Sequence, residues 1–357
     1  MLAATLADAM REFEPDAMFS GIGSERMAAA GFTLTTKTTG WASLGPIEAL
    51  RRIPPLLVNL LRHAAWLRAE PWDLVVLVDF GAYNLNLAKA LRAIGYRAPI
   101  LYYFPPGAWL DRGKQAAAVA RSTVPLTAFA HQRDFYRGLE LGIAYFGHPL
   151  CSLVSPRPAL PPAPPDGGLV ALLPGSRGGE IERHLPPLLA ACELLRARRP
   201  ALRFVVSAAD ADAERRIGRE LARRNLRMPI VRGARAAFDG ADAAWIASGT
   251  AVLEATLREV PTVALYIVAK AQEELAQRVW LRKHPFVSLP NILLGREIVP
   301  ECLQAEATPE NLANSLERVL ADPRAQAAAM REVRAALGKP DALRRCAAFA
   351  IALARSA

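Results

Sequence analysis

Three short stretches place residue types at spacings that suit chemistry on an anionic ligand. In "LLPGSRGGEIERH" (172–184), Gly175, Gly178 and Gly179 flank Ser176 and Arg177. Glycines let a backbone approach a ligand closely, because without a Cβ they reach conformations barred to other residues. The charged pattern that follows predicts a helix whose unpaired N–H groups and positive dipole end point back at the turn. The Ser176 hydroxyl and the planar Arg177 fork complete a donor set suited to phosphate oxygens. An ordinary strand–turn–helix corner with a surface arginine has the same residues, since short glycine motifs recur widely.

A second turn of this kind stands in "WIASGTAVLEATL" (245–257), where Ser248, Gly249 and Thr250 precede a predicted helix. Glu254, one turn into that helix, suits the two donors of a ribose diol, or simply the favourable end of a helix dipole. Two such cradles in one half of the chain fit a nucleotide diphosphate sugar. A carboxylate comes from "LVVLVDFGAYN" (74–84), which delivers Asp79 to the end of an apolar run, ahead of Gly81 and Asn84. Partial burial there would raise its pKa and make it a general base; a helix N-cap is the other reading. His148 in "YFGHPL" ends another apolar run, as a candidate site residue or a cap. Asn291 and Gln304, within 284–304, are candidate polar contacts to a base or sugar, unless that run is a packed connector.

These residues need strands and helices to hold them in place. Apolar runs at 74–80, 99–104, 126–130, 143–147, 169–174, 202–207, 243–248 and 262–268 read as strands. Between them, 84–95, 113–121, 131–140, 180–199, 211–224, 250–258 and 271–284 have helical spacing. Continuous apolar strands separated by helices predict parallel sheets covered on both faces, hence an α/β protein. The proline-rich stretch 151–168 can be neither helix nor central strand, so it reads as a linker. The expected organisation is therefore a first Rossmann-like domain (1–150), the linker, a second (169–338), and a terminal helix (339–357) packing back on the first. From residue 309 the sequence predicts one continuous amphipathic helix capped by Thr308. Ligands are expected in a cleft at the carboxyl ends of the strands.

The net charge of +10 draws the chain toward anionic partners such as phosphorylated substrates, nucleic acid or an acidic lipid surface. No nucleic-acid motif accompanies the charge, so a nucleic-acid partner is not expected. The four cysteines are far apart and the five histidines scattered, which predicts neither a disulfide framework nor a metal site. No apolar run reaches the length of a membrane span. Residues 1–18 read as an amphipathic helix rather than a signal peptide, which points to the cytoplasm.

"LLPGSRGGEIERHLPPLL", "ASGTAVLEATLREVPTVALYIV" and "SLPNILLGREIVPECLQAEATPENL" together resemble the C-terminal domain of the lipid-A-disaccharide synthase family. "GIGSERMAAAGF" (21–32) is similar to its GxxGPxM segment, and "YFGHPL" to its GHP segment. The resemblance implies a GT-B fold, with two Rossmann-like domains whose parallel sheets face across a cleft. It implies an inverting glycosyltransferase that needs no metal or other cofactor. Such an enzyme moves 2,3-diacylglucosamine from UDP to 2,3-diacylglucosamine 1-phosphate (lipid X), forming a β-1,6 disaccharide for the lipid A of Gram-negative bacteria. Its expected place is peripheral, on the inner face of the cytoplasmic membrane, with a homodimer left open. Arg177 and the turns at Gly175–Gly178 and Ser248–Thr250 would then hold the diphosphate, Asp79 would serve as base, and Asn291 and Glu254 would position the donor. Asn84 and His148 would lie on the acceptor side. Departures concentrate in the first half. The family's opening strand and GEASGD-type turn have no counterpart, its DxPDFN becomes "DFGAYN" with Ala82 for the second Asp, and SPxVWAW becomes "FPPGAWLDRGK", keeping Pro105 and Trp109. A UDP-sugar 2-epimerase and a non-catalytic UDP-sugar or lipid binder are the rival readings.

A lipid acceptor requires contact with a membrane surface. Segment 46–72 supplies an apolar set (Leu56, Leu57, Leu60, Leu61, Trp66) beside Arg51, Arg52, Arg62, His63 and Arg68. That composition suits an interfacial helix on anionic lipid, or a helix packed on its own sheet, with Pro54 and Pro55 confining it to the residues after them.

Overall fold

The computed structural model describes residues 2–37, 53–107, 112–157, 167–269 and 285–356, with backbone alone at 53–56 and 82. The chain divides into two compact units, one of Met1–Leu153 with Leu337–Ala357, the other of Val154–Ala336. Trp109, Arg51, Arg52 and the helix expected at 271–284 lie outside the described residues.

The first unit runs α1 (Leu2–Arg11), β1 (Ser20–Gly23), α2 (Glu25–Ala29), β2 (Thr33–Lys37), α3 (Ile53–Ala69), β3 (Val75–Val78) and α4 (Gly81–Ala93). It continues with β4 (Ile100–Tyr103), α5 (Gly113–Ser122), β5 (Val124–Thr127), α6 (Ala130–Gly138), β6 (Ala144–Tyr145) and α7 (Leu150–Leu153). Strands β3 to β6 form a parallel sheet in chain order, and β1 and β2 pair in a separate parallel sheet. Successive strand residues point to opposite faces, and both faces here are apolar. Val75, Leu77, Ile100 and Tyr102 pack with Ala64 and Leu67 of α3 and Leu87, Ala88 and Leu91 of α4. Leu101, Tyr103 and Leu126 pack on the other side with Leu6 and Met10 of α1. The same cluster takes in Cys346, Ala347, Ala350 and Ile351 from the last helix of the chain, Ala342–Ala354, which therefore belongs to this unit. The described part of helix α3 includes Pro54 and Pro55, so the prolines do not confine it to the residues after them.

The second unit runs β7 (Gly167–Leu173), α8 (Gly178–Arg198), β8 (Ala201–Ala208), α9 (Ala211–Arg223), β9 (Ile230–Arg232), α10 (Ala234–Phe238) and β10 (Ala243–Ala247). Then come α11 (Thr250–Leu257), β11 (Thr262–Tyr266), α12 (Leu289–Leu294), β12 (Glu301–Leu303), α13 (Pro309–Ala321) and α14 (Pro323–Leu337); Ala342–Ala354, of the first unit, is α15. The expected single helix after 309 is thus two. Pro323 cannot continue a helix and forces the residue before it out of the helical region. Asp322 sits at φ −137°, and its Oδ1 accepts from the Ala325 N–H to cap α14.

All six strands of this unit are parallel, in the order β9-β8-β7-β10-β11-β12. The chain lays strands outward from β7 to β9, then returns to β10 and builds the other way. A doubly wound sheet of this order binds ligands where the direction reverses, outside the carboxyl ends of the strands. That point lies between β7 and β10, which are hydrogen-bonded neighbours, with Leu173 opposite Ile246.

Candidate functional site

Both glycine turns leave the sheet at this reversal. After β7 the chain passes Pro174 to Gly175, whose φ of 118° suits only glycine. An added Cβ would lie 2.7 Å from the Glu180 Cβ and 2.8 Å from its Oε2. The turn is wound around that carboxylate: Oε2 accepts from the Ser176 N–H (3.1 Å) and the Arg177 N–H (3.3 Å), and Oε1 from Arg177 Nη1 (3.1 Å). Arg177 is the N-cap of α8, and its side chain is 56% exposed against 15% for Glu180. Gly178 and Gly179 open the helix. After β10, Ser248 donates its hydroxyl proton to the Val287 carbonyl (3.3 Å), while Gly249 and Thr250 at the start of α11 are exposed. Space for a ligand opens at Gly249, where a Cβ would meet nothing within 4 Å. Two helix N-termini and an exposed guanidinium therefore stand at neighbouring strand ends, the arrangement that accommodates an anion.

Behind the turns lies a polar layer in which Gln304 is an expected polar residue, here spent on backbone, while His184 and Arg183 are not expected from the sequence. His184 on α8 is fully buried, its Nδ1 2.9 Å from the Pro174 carbonyl oxygen and its Nε2 accepting from the Ile267 N–H at 3.0 Å. Arg183 Nε donates to the Ile267 carbonyl (2.8 Å), and Gln304 Oε1 accepts from the Val268 N–H (2.7 Å). The signal was present, since His184 shares the buried face of α8 with Ile181, Leu185 and Leu188. A histidine in phase with that set needs two partners, and strand ends supply them. Asn291 is also fully buried. Its Nδ2 donates to the Val299 carbonyl and Glu301 Oε1, and its Oδ1 accepts from the N–H groups of Ile298 and Val299. All four places on its amide are taken. Glu301 also accepts from the N–H groups of Val287 and Ser288, so Asn291 and Glu301 fix the loop around α12. Glu254 is half-buried and pairs with Arg258 at 3.4 Å.

In the first unit, Asp79 and Phe80 are consecutive non-glycine residues in the left-handed region, at φ 50° and 49°. Such residues cost roughly 1–3 kcal/mol each and persist where the surroundings over-determine them. The Asp79 N–H donates to the Tyr103 carbonyl, while its own carbonyl accepts from the Tyr102 hydroxyl (3.0 Å) and Asn84 Nδ2 (2.7 Å). Gly81 follows because an added Cβ would lie 2.8 Å from the Pro106 Cβ. The N-cap of α4 is Phe80, and no side chain caps it. The Asp79 carboxylate points into none of these bonds: contrary to the expected partial burial it is exposed, because the left-handed turn at 79–80 carries it out of the sheet, and it has no hydrogen-bond or ion-pair partner among the described residues. Asn84 thus holds the turn that displays Asp79. His148 is buried, its Nδ1 accepting from the Leu150 N–H (3.2 Å) at the start of α7, against the rings of Phe104 and Phe129. Burial pushes its pKa down to about 4.

The model of the lipid-A-disaccharide synthetase family matches residues 1–351 of the chain. The lipid-A-disaccharide synthase of Azotobacter vinelandii is 37% identical over 332 residues, covering 88% of this chain and 85% of that protein. The synthase of Myxococcus xanthus is 38% identical over 327 residues, covering 89% and 84%. Among solved structures, a UDP-GlcNAc 2-epimerase from Neisseria meningitidis bound to UDP-GlcNAc superimposes with a TM-score of 0.63 at 9% identity, covering 98% of this chain and 96% of that one. A spinosyn rhamnosyltransferase complexed with thymidine diphosphate gives 0.54 at 13% identity, covering 92% and 99%. Those two likenesses show the fold, the α/β GT-B type. The extent and identity of the sequence matches show more: the chain belongs to the lipid-A-disaccharide synthetase family and is a glycosyltransferase.

Proposed function

We propose that the chain transfers 2,3-diacylglucosamine from UDP to 2,3-diacylglucosamine 1-phosphate, with inversion, giving a β-1,6 disaccharide and UDP. The observation that carries the donor half is the pair of glycine turns at the reversal between β7 and β10, with the Arg177 fork exposed beside them. Charge accumulates on the diphosphate as the bond from the sugar C1 to its oxygen breaks. The N–H groups of Gly175, Gly178, Gly179, Gly249 and Thr250, which meet no partner among the described residues, and the exposed Arg177 guanidinium are donors that stabilise that charge. Asp79 takes the proton from the acceptor hydroxyl as its oxygen attacks C1 from the face opposite UDP. One displacement of this kind inverts the configuration. The strained turn at Asp79 supports the role, because it presents the carboxylate free of partners. Asn291 and Asn84 act by holding loops, and Glu254, one turn into α11, positions the donor ribose in this reading.

The acyl chains imply a lipid surface, and α3 fits one. His63, Ala64 and Leu67 are buried, yet Leu57, Val58 and Leu61, earlier in the helix, are 56%, 57% and 66% exposed. A helix packed on its own sheet ordinarily turns charge outward. With Arg62 and Arg68 exposed beside them, these residues suit an anionic membrane surface at the inner face of the cytoplasmic membrane. No helix among the described residues is long and apolar enough to cross a membrane.

Product analysis tests the reading. Donor and acceptor together should give disaccharide and UDP in equal amounts, and Asp79→Asn should lower turnover about 100-fold with UDP affinity unchanged. Donor consumed equally well without acceptor would instead make the chain an epimerase or hydrolase. Wild-type turnover in Asp79→Asn would remove Asp79 from the chemistry.

A further inference from the structure

We infer that His184 is a positioning residue for the donor site, a neutral imidazole that aims the first N–H of the Gly175 turn by holding the peptide plane to which it belongs. The inference rests on the reading of that turn as the diphosphate site.

The partners of His184 dictate its state. The Ile267 N–H can only donate, so Nε2 must offer a lone pair. The Pro174 carbonyl can only accept, so Nδ1 must carry the proton. The tautomer is thus set by two backbone groups. Burial holds the ring below the ordinary histidine range, as does Arg183, while Glu180 and the bond to the Pro174 carbonyl act the other way; Tyr266 lies against it at 5.7 Å between ring centres.

The Pro174 carbonyl and the Gly175 N–H share one rigid trans peptide and point in opposite directions. Drawing the carbonyl inward to His184 turns the N–H outward. Among the described residues that N–H has no hydrogen-bond partner, while the next two, on Ser176 and Arg177, meet Glu180. Meanwhile Nε2 ties the same ring to the end of β11, where Arg183 and Gln304 hold the neighbouring peptides. The turn after β7 is therefore braced against β11 through one side chain.

Three variants separate bracing from packing. Asn places its Nδ2 where Nδ1 stands, so His184→Asn keeps the bond to Pro174 and loses the one to Ile267. His184→Gln reaches Ile267 through its Oε1 and loses Pro174. His184→Leu fills the space and keeps neither. Calorimetry with UDP, on chains checked by thermal melting, should find His184→Asn within about twofold of wild type. His184→Gln and His184→Leu should bind about tenfold more weakly, ~1.4 kcal/mol. Equal UDP affinity in all three, with Arg177→Ala still impaired, would overturn the inference and leave the donor site standing. Affinities that follow the melting temperatures, with Asn no better than Gln, would also overturn it. Failure of the wild-type chain to bind UDP would overturn the donor-site reading and this role with it.

Discussion

Replacing Gly175 with Ala should damage the donor site far more than the fold. Two costs arise if the turn keeps its shape. An L-residue at φ 118° is strained by roughly 1–3 kcal/mol. The new Cβ would lie 2.7 Å from the Glu180 Cβ, an atom fixed to the backbone of α8, and such overpacking costs a further 1–3 kcal/mol or so. Rotating the Glu180 side chain relieves the contact to Oε2 but not that to Cβ, so the backbone of 174–177 must move. Ser176 and Arg177 are exposed on the ligand side, so the turn can move outward without disturbing the sheet. We therefore expect a melting temperature lowered by only a few degrees, as for a loss of ~1 kcal/mol. UDP affinity should fall about 30-fold, ~2 kcal/mol, because the Gly175 N–H and the Arg177 fork are displaced together. Calorimetry with UDP and a thermal melt on the same sample measure both. Wild-type affinity in a folded Gly175→Ala would refute the argument, since the turn would then be irrelevant to the diphosphate.

Two further outcomes follow from buried and exposed groups. His148 has a folded pKa of about 4 against an ordinary 6.5, so between these values the unfolded chain binds a proton that the folded chain refuses. Stability should be full above pH 6.5 and fall toward pH 4, with up to ~3 kcal/mol due to this ring. Urea midpoints should show a shallower fall in His148→Asn, which keeps an acceptor for the Leu150 N–H; an identical pH slope would show that His148 does not titrate this way. On α3, Leu57→Glu/Leu61→Glu should leave the melting temperature unchanged, because both side chains are exposed. It should abolish co-sedimentation with anionic vesicles at low salt, and sedimentation equal to wild type would exclude α3 as the docking face.

The central strands are legible because parallel strands buried on two faces are continuous apolar runs, as in Ile100–Tyr103, where every residue is buried. Strands β1, β2, β9 and β12 have no such run, and periodicity cannot find three to five residues at a sheet edge. The break at Asp322–Pro323 was written in the proline but overridden by the amphipathic pattern, which continues in phase on both sides of it.

The site was legible to a different degree, and the reason is physical. The sequence advertises donors through glycines, because a backbone N–H that meets a ligand needs a turn without Cβ atoms, as at Gly175. Polar side chains near such turns are ambiguous, since they can satisfy a ligand or the loop itself. In Asn291 and Asn84 the loop claims the amide: Asn291 satisfies three buried backbone groups, any of which left unpaired costs about 1–3 kcal/mol, and Asn84 donates to the carbonyls of Val78 and Asp79. Asp79 goes the other way. A carboxylate that caps a helix would be spent on N–H groups, but here Phe80 takes the cap position and the turn is held by Tyr102, Tyr103 and Asn84. The strain at residues 79 and 80 is sustained by backbone bonds to those neighbours, which leaves the carboxylate itself unspent. A carboxylate held so firmly at its backbone and so free at its oxygens is one that the proposed base role can use.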